Sequence, residues 1–281
     1  DFIDNSAGVD CSDKEVNIKI LLADAIAHKK INRSDRDKIL VKMTKEVSDI
    51  VLSDNYLQTQ AISMAEIKAV EARDHHLGLI RTLERDGDLN RAIEFLPSDE
   101  KFAELSVNNQ GLTRPEIATL MSYAKISLFE VLLRSKILEN PIFQPELEWG
   151  FPTLLRKDFA KEMQNHRLKR EIIATVLSNS VINWAGLTFV YEVKEETGLG
   201  VEDIVAAFII VREIFDLQEV WDGINSLDYK VSAQLQMKMH EDISTFLKQQ
   251  VMWFLRNLPQ PFDIANIIKR FNDPVAALFN A

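Results

Sequence analysis

The segment "DNSAGVDCSDKEV" (residues 4–16) carries the first side chains whose types and spacing could do chemistry. Ser12 and Glu15 fit the S/T-x-x-E capping box, which predicts that a helix begins near residue 13. The Ser12 hydroxyl could cap this helix, and the free backbone amides of the first turn would offer a positive end suited to a substrate carboxylate. Asp10 and Asp13 would repel such an anion unless they point away. Both roles therefore remain open for Ser12.

Other motifs of known chemistry are incomplete. "HEDIS" (240–244) resembles the zinc-binding pattern H-E-x-x-H, but Ser244 stands in place of the second ligand. "TGLGVEDI" (197–204) has two glycines of a dinucleotide-binding loop but follows a predicted helix, so it predicts a helix end and a new helix start. His75 and His76 are adjacent and would diverge by about 100° on a helix. The sequence therefore predicts no catalytic residue and no metal site.

One helical face combines amides with apolar side chains. Its members follow steps of three and four residues: Ile172, Val176, Asn179, Asn183, Gly186 and Val190. Buried amides need hydrogen-bond partners, because an unpaired one costs a few kcal/mol. One interpretation is a pair of interhelical hydrogen bonds that fix the packing, with Gly186 allowing a neighbouring helix to approach closely. The other interpretation is a functional pocket.

Charge and composition narrow the class of protein. The 281 residues carry 33 Lys and Arg against 43 Asp and Glu, a formal net charge of -10. This charge disfavours nucleic acid and anionic lipid surfaces as partners. Cys11 is the only cysteine, which excludes an internal disulfide and suits a reducing compartment. Apolar runs such as 206–211 are shorter than the ~20 residues of a membrane span, so a cytoplasmic protein is predicted.

The positions of these residues depend on helices. The chain has only nine glycines, and the pattern of apolar residues predicts an all-α protein, an irregular multi-helix bundle. We expect a terminal loop over 1–12, a helical domain over 13–281, and a possible subdomain break near the Pro- and Gly-containing segment 139–157. The principal predicted helices cover about 13–30, 34–51, 55–85, 114–138, 166–197, 201–215, 217–226, 229–256 and 263–279. Gly87 is expected to end the third of these, Ser98 to begin a shorter helix, and Thr113 with Glu116 to form a capping box at the start of helix 114–138.

Three segments together resemble the large, NAD-specific glutamate dehydrogenases: "DNSAGVDCSDKEVNIKILL", "LTRPEIATLMSYAKI" and "REIIATVLSNSVIN". These enzymes carry an N-x-G-G-V loop followed by S-x-x-E at a helix start. Here Asn5, Gly8, Val9, Ser12 and Glu15 fall in the same order and spacing. Ala7 replaces the first of the paired glycines, which narrows the conformational freedom of the loop. The three segments occur in the same order, and the resemblance covers most of the chain. It implies that residues 1–12 are a short N-terminal loop left over from an α/β catalytic domain.

The resemblance implies oxidative deamination of L-glutamate to 2-oxoglutarate and ammonia, with hydride transfer to NAD. It assigns Val9 and Ser12 to the substrate pocket and Asn5 to the neighbourhood of the nicotinamide. The family's catalytic lysine, catalytic aspartate and dinucleotide motif are absent from these residues, so NAD would be bound mainly upstream and this chain alone would be inactive. The helical domain would brace the catalytic region, join subunits of a homo-oligomer or transmit a regulatory signal.

A free-standing helical interaction scaffold is the alternative, because any acidic, helix-rich scaffold could share this composition. The first methionine is Met43, so we expect residue 1 not to be a translation start and the chain to be a piece of a longer protein. The upstream reading frame would discriminate between the two. A G-x-G-x-x-G/A turn with a lysine-bearing glycine motif would favour the dehydrogenase.

Overall fold

A computed structural model describes the backbone of residues 2–279 and the side chains of residues 6–277. All regular secondary structure in residues 2–279 is helical, which confirms the all-α prediction. Two 3-10 turns occur at Ile137–Glu139 and Pro141–Phe143. The α-helices are α1 Phe2–Ala27, α2 Arg33–Ile67, α3 Arg73–Asp86, α4 Asp99–Val107, α5 Arg114–Arg134, α6 Gln144–Trp149, α7 Thr153–Asp158, α8 Ala160–Gln164, α9 Lys169–Ala185, α10 Phe189–Thr197, α11 Val201–Ile214, α12 Leu217–Asn225, α13 Ala233–Asn257 and α14 Ile264–Phe279.

The N-terminal segment differs from its prediction. α1 begins at Phe2, so the structure has a helix where we expected the loop of residues 1–12 and a helix start near residue 13; residue 1 lies outside the described residues. No proline interrupts α1, and Gly8 lies within it. Extending an existing helix costs less free energy than nucleating a new one. The Ser12–Glu15 pattern therefore lies inside a helix and does not begin one.

Local helix-end signals agree with the structure where tertiary packing does not override them. Gly87 ends α3 in the left-handed conformation, with φ of 83°. The Ser98 hydroxyl accepts a hydrogen bond from the Lys101 amide at 3.3 Å, as an N-cap does. At the start of α5, the Thr113 amide donates to Glu116 Oε2 at 2.6 Å. The predicted capping box at Thr113 is confirmed.

Two predicted helix boundaries are wrong. The sequence predicted a break between residues 51 and 55, between helices 34–51 and 55–85. In the structure the break lies at 68–72, between α2 and α3. A Cβ on Gly111 would lie 2.2 Å from the backbone carbon of Ala69, so a distant segment packs directly on this break. No glycine or proline marks residues 68–72 in the sequence. Because the contact is tertiary, a local pattern could not indicate it.

The predicted single helix 166–197 is two helices, α9 and α10, bent by 84°. Gly186 lies at the break with φ of 103°, a conformation that glycine adopts without strain. A Cβ there would meet no atom within 4 Å, so the predicted close approach of a helix at Gly186 is wrong. Among the described residues, no single helix is long and apolar enough to cross a membrane, and this bent pair meets the criteria only when its two helices are counted together.

The chain forms two compact units, each built from two separate stretches. Unit 1 comprises Asp1–Gln60 and Leu132–Asn179. In it, α1 packs against α8. The Asn17 backbone carbonyl lies 3.1 Å from His166 Nε2. Phe143 and Phe151 are fully buried in this unit, so the irregular segment 139–157, where a subdomain break was predicted, lies inside it.

Unit 2 comprises Ala61–Val131 and Ser180–Ala281. Its central helix, α11, has apolar residues on all sides and buries ten of its fourteen residues. α11 packs against α10, α12, α13 and α14, and α10 also packs against α3. Trp184 and Trp221 stack in this unit with ring centroids 4.3 Å apart. The arrangement places α10 and α13 beside one another, around the cavity described below.

Candidate functional site

The residues that the sequence assigned to substrate lie on α1. Val9 is 67% exposed, and Ser12, three residues later on the same helical face, is also exposed. The side chain of Asn5 lies outside the described residues. Because α1 begins at Phe2, the backbone amides after Ser12 lie in the helix interior, where amides bond to carbonyls four residues earlier. The anion-binding helix end expected at Ser12 is therefore not formed.

A second candidate site is a cavity of about 1100 Å³ that lies entirely within unit 2. We call it the unit 2 cavity. Its walls come from the end of α2, the start of α3, the turn between α9 and α10, and α13. Apolar side chains that line it include Met64, Ala65, Phe189 and Met252. Cavities of this size and character between helices are typical sites for small molecules.

Two buried polar side chains line the unit 2 cavity. Asn183 is 8% exposed, and His76 is 1% exposed. Neither Asn183 Oδ1 nor His76 Nδ1 has a hydrogen-bond partner among the described residues. Burial lowers the pKa of His76 to about 4, so the imidazole is neutral near pH 7. These two buried side chains therefore carry no charge, and each has a polar atom that could still form a hydrogen bond.

The two asparagines of the amide stripe predicted on one helix face lie in different environments. Asn183 lines the unit 2 cavity, whereas Asn179, one turn earlier on α9, is half-buried and does not line it. The stripe therefore does not act as one pair of interhelical hydrogen bonds. For Asn183, the structure favours the pocket interpretation.

Ion pairs surround the unit 2 cavity. Lys248 Nζ lies 2.7 Å from Glu192 and 2.8 Å from Glu196. Burial opposes the charge on Lys248, but the hydrogen bonds to both carboxylates outweigh that effect and raise its pKa. Glu241 lies 3.3 Å from Lys68 and 3.2 Å from Lys238, which precedes it by three residues on the same helix, α13. The basic groups around the cavity are thus paired with carboxylates.

The segment 240–244, which resembles a zinc-binding pattern, has structural roles: His240 packs in the interior and Glu241 forms the ion pairs described above. His240 is 2% exposed and lies 5.9 Å from the ring of Trp184. Burial lowers the pKa of His240 to about 4. Within residues 2–279, no group of three or more His, Cys, Asp or Glu is arranged to hold a metal ion.

The paired histidines have different surroundings. Both histidines line the unit 2 cavity, but His75 is exposed with its Nδ1 3.2 Å from Glu192, whereas His76 is almost fully buried. Their side chains diverge, as adjacent residues on one helix do. The burial of His76 exceeds the surface or partly packed position that the sequence favoured.

Family profiles match two parts of the chain. Residues 109–281 match "Glutamate dehydrogenase, C-terminal", and residues 1–65 match "Bacterial NAD-glutamate dehydrogenase, catalytic domain". The second match extends well beyond residues 1–12, to which the sequence analysis assigned the catalytic region.

Curated proteins with similar sequences carry the name NAD-specific glutamate dehydrogenase. The protein from Pseudomonas aeruginosa is 42% identical over 278 residues, which is 99% of this chain and 17% of the relative. The protein from Halomonas elongata is 41% identical over 256 residues, 91% of this chain and 16% of the relative. The protein from Mycobacterium tuberculosis is 34% identical over 278 residues.

This chain spans about a sixth of the length of the relatives it matches. The C-terminal profile alone covers more than half of its residues. That match includes α5–α14, and two of the three segments quoted above lie within it. The chain belongs to the glutamate dehydrogenase C-terminal family.

Proposed function

We propose that this chain is the C-terminal part of an NAD-dependent glutamate dehydrogenase. The whole enzyme oxidises L-glutamate to 2-oxoglutarate and ammonia and passes the hydride to NAD. The observation that carries the proposal is the order of the two profile matches, with the catalytic domain over residues 1–65 and the C-terminal family over residues 109–281. The named relatives, which are 41–42% identical over nearly all of the chain, support the same activity.

In this proposal, the chemistry of hydride transfer belongs to another part of the polypeptide. The regular elements of residues 2–279 are helices, whereas dinucleotide-binding folds of the common type are built on a parallel sheet. NAD is therefore bound mainly upstream, with Asn5 near the nicotinamide. Val9 and Ser12 line the glutamate pocket. Their position on one exposed face of α1 leaves both side chains available to a substrate or to another chain segment.

The helical part has a structural or regulatory role in this proposal. Unit 2 has an extensive apolar core around α11, as expected of a region that braces a catalytic domain or joins subunits. We expect the enzyme to be a cytoplasmic homo-oligomer. A free-standing scaffold with no link to amino-acid oxidation has no support from the family matches, which both name glutamate dehydrogenase.

The activity of the isolated 281-residue chain tests this division of labour. We expect the purified chain to form no NADH from glutamate and NAD, while the full-length polypeptide does so under the same conditions. NADH absorbance at 340 nm is the measurement. Turnover by the isolated chain at a rate comparable to that of the full-length polypeptide would contradict the proposal.

Ser12→Ala in the full-length enzyme tests the proposed glutamate pocket. Loss of a hydrogen bond to a substrate carboxylate would raise the KM for glutamate about tenfold. Ser12 is exposed within α1, so we expect the unfolding free energy to stay within about 0.5 kcal/mol.

Cys11→Ala is the matched control, because Cys11 is also exposed and lies about 100° away around the same helix. It should leave the KM for glutamate unchanged. An unchanged KM for glutamate in Ser12→Ala would show that Ser12 does not line the substrate pocket. The proposed activity of the whole enzyme would still stand.

A further inference from the structure

The unit 2 cavity has features of a binding site that the proposed dehydrogenase chemistry does not use. Its volume of about 1100 Å³ is at the upper end of the range for small-molecule sites. Its walls come from four parts of unit 2 and include Met64, Phe189 and Met252. These side chains would contribute apolar contact to any molecule that enters.

The polar groups inside the cavity define what such a molecule must offer. Asn183 is more than nine-tenths buried, lines the cavity, and has an Oδ1 acceptor without a partner in the described part of the chain. His76 likewise lines the cavity with a buried Nδ1 that has no partner in residues 6–277. Buried polar atoms in native proteins are almost always hydrogen-bonded to protein, water or ligand. An occupant with both a donor and an acceptor would satisfy both atoms.

The charges around the cavity argue against an ionic ligand. Lys248 already binds Glu192 and Glu196, and Lys68 binds Glu241. A ligand carboxylate or ammonium would have to break one of these pairs and lose its own hydration. Among the lining residues, the buried side chains with unpartnered polar atoms in residues 6–277 are the Asn183 amide and the neutral His76 imidazole, and neither offers a full charge in exchange. An uncharged ligand avoids both costs.

We propose that the unit 2 cavity binds a small, uncharged molecule that has an apolar body and an amide or hydroxyl group, with the donor of that group bound by Asn183 Oδ1. The site lies apart in sequence from Val9 and Ser12, and the proposal does not depend on the activity assigned to the whole enzyme.

The test uses 4-fluorobenzamide as the probe, because it has an apolar ring and an amide that both donates and accepts. Binding to the full chain is measured by fluorine NMR line broadening during titration. Methyl 4-fluorobenzoate is the matched probe: it keeps the ring and the acceptor but has no N–H donor. We expect saturable binding of the amide and binding of the ester that is at least about fivefold weaker.

Three variants locate the probe. Asn183→Leu removes the acceptor and should weaken binding of the amide about tenfold, while Asn179→Leu, one turn earlier on α9 and outside the cavity, should leave binding unchanged. Ala65→Phe fills the cavity from α2 and should abolish binding. Circular dichroism at the temperature of the titration shows whether each variant is folded.

The proposal would be overturned if the unmodified chain showed no saturable binding or bound the amide and the ester equally. Full binding by Asn183→Leu or by Ala65→Phe would also overturn it. If Asn183→Leu does not fold, the comparison of the two probes on the unmodified chain and the Ala65→Phe variant decide the question. Loss of binding in Asn179→Leu would likewise overturn it, because the probe would then lie outside the cavity.

Discussion

At the scale of single residues, burial decides the protonation of the histidines in unit 2. His76 and His240 are 1% and 2% exposed, and burial lowers the pKa of each to about 4. His75, which precedes His76 in the chain, is exposed and contacts Glu192. Neighbouring residues of the same type therefore differ in character because one faces solvent and the other faces the protein interior.

The unfolding free energy should fall as the pH drops from about 6.5 to 4. In this range the unfolded chain, with histidine pKa near 6.5, binds more protons than the folded chain, with pKa near 4. For His240 alone, the expected loss between pH 7.5 and pH 5 is about 2 kcal/mol. The His240→Phe variant should lose this much less stability on acidification than the unmodified chain, as measured by urea unfolding at the two pH values.

Met252→Leu is the control, because Met252 is buried on the same helix as His240 and neither methionine nor leucine ionises. It should show the same pH dependence as the unmodified chain. If His240→Phe loses as much unfolding free energy on acidification as the unmodified chain, then His240 does not have a lowered pKa in the folded state.

At the scale of helices, the sequence predicted ends that depend on neighbouring residues and missed those that depend on distant ones. The N-cap at Ser98 and the capping box at Thr113 are local hydrogen bonds, so their residue types were sufficient. The break at 68–72 has Gly111 packed against Ala69, more than forty residues away. Gly186 was noticed as part of a stripe, but its role as the break between α9 and α10 required knowledge of its φ angle.

Gly111→Ala should destabilise the protein by about 2–4 kcal/mol. The new Cβ would lie 2.2 Å from the Ala69 carbon and 2.3 Å from its oxygen, and backbone atoms cannot move aside as a flexible side chain can. The measurement is the unfolding free energy from urea denaturation.

Gly223→Ala is the matched control. Gly223 is exposed within α12, and a Cβ there meets no atom within 4 Å. This substitution should stabilise the protein by about 0.5–1 kcal/mol, because alanine has a higher helix propensity. Equal effects of the two substitutions would mean that the close approach of Gly111 to Ala69 does not limit the packing.

At the scale of the whole molecule, the two compact units are interleaved along the sequence. The Pro- and Gly-containing segment 139–157 suggested a possible subdomain break, but it lies inside unit 1. A composition shift marks irregular backbone, and here that backbone contributes Phe143 and Phe151 to a core. The unit 2 cavity was equally hard to predict. Asn183 was flagged by its place in an apolar stripe, whereas the other lining residues come from helices far apart in the chain.

Separate expression of residues 1–131 and 132–281 tests this organisation. Each piece contains only part of unit 1 and part of unit 2, so we expect neither to unfold cooperatively in urea, in contrast to the intact chain. A cooperative transition in residues 132–281 alone would show that this stretch is an independent domain, and would restore a boundary close to the one that composition suggested.

The interleaving also sets an order of events during synthesis on the ribosome. Residues 1–60 leave the exit tunnel before their partners in unit 1, which begin at Leu132. The intervening residues 61–131 take about 4–14 s to translate. Throughout that interval, the apolar faces of α1 and α2 lack the side chains that later cover them, so the nascent chain presents a surface that chaperones recognise.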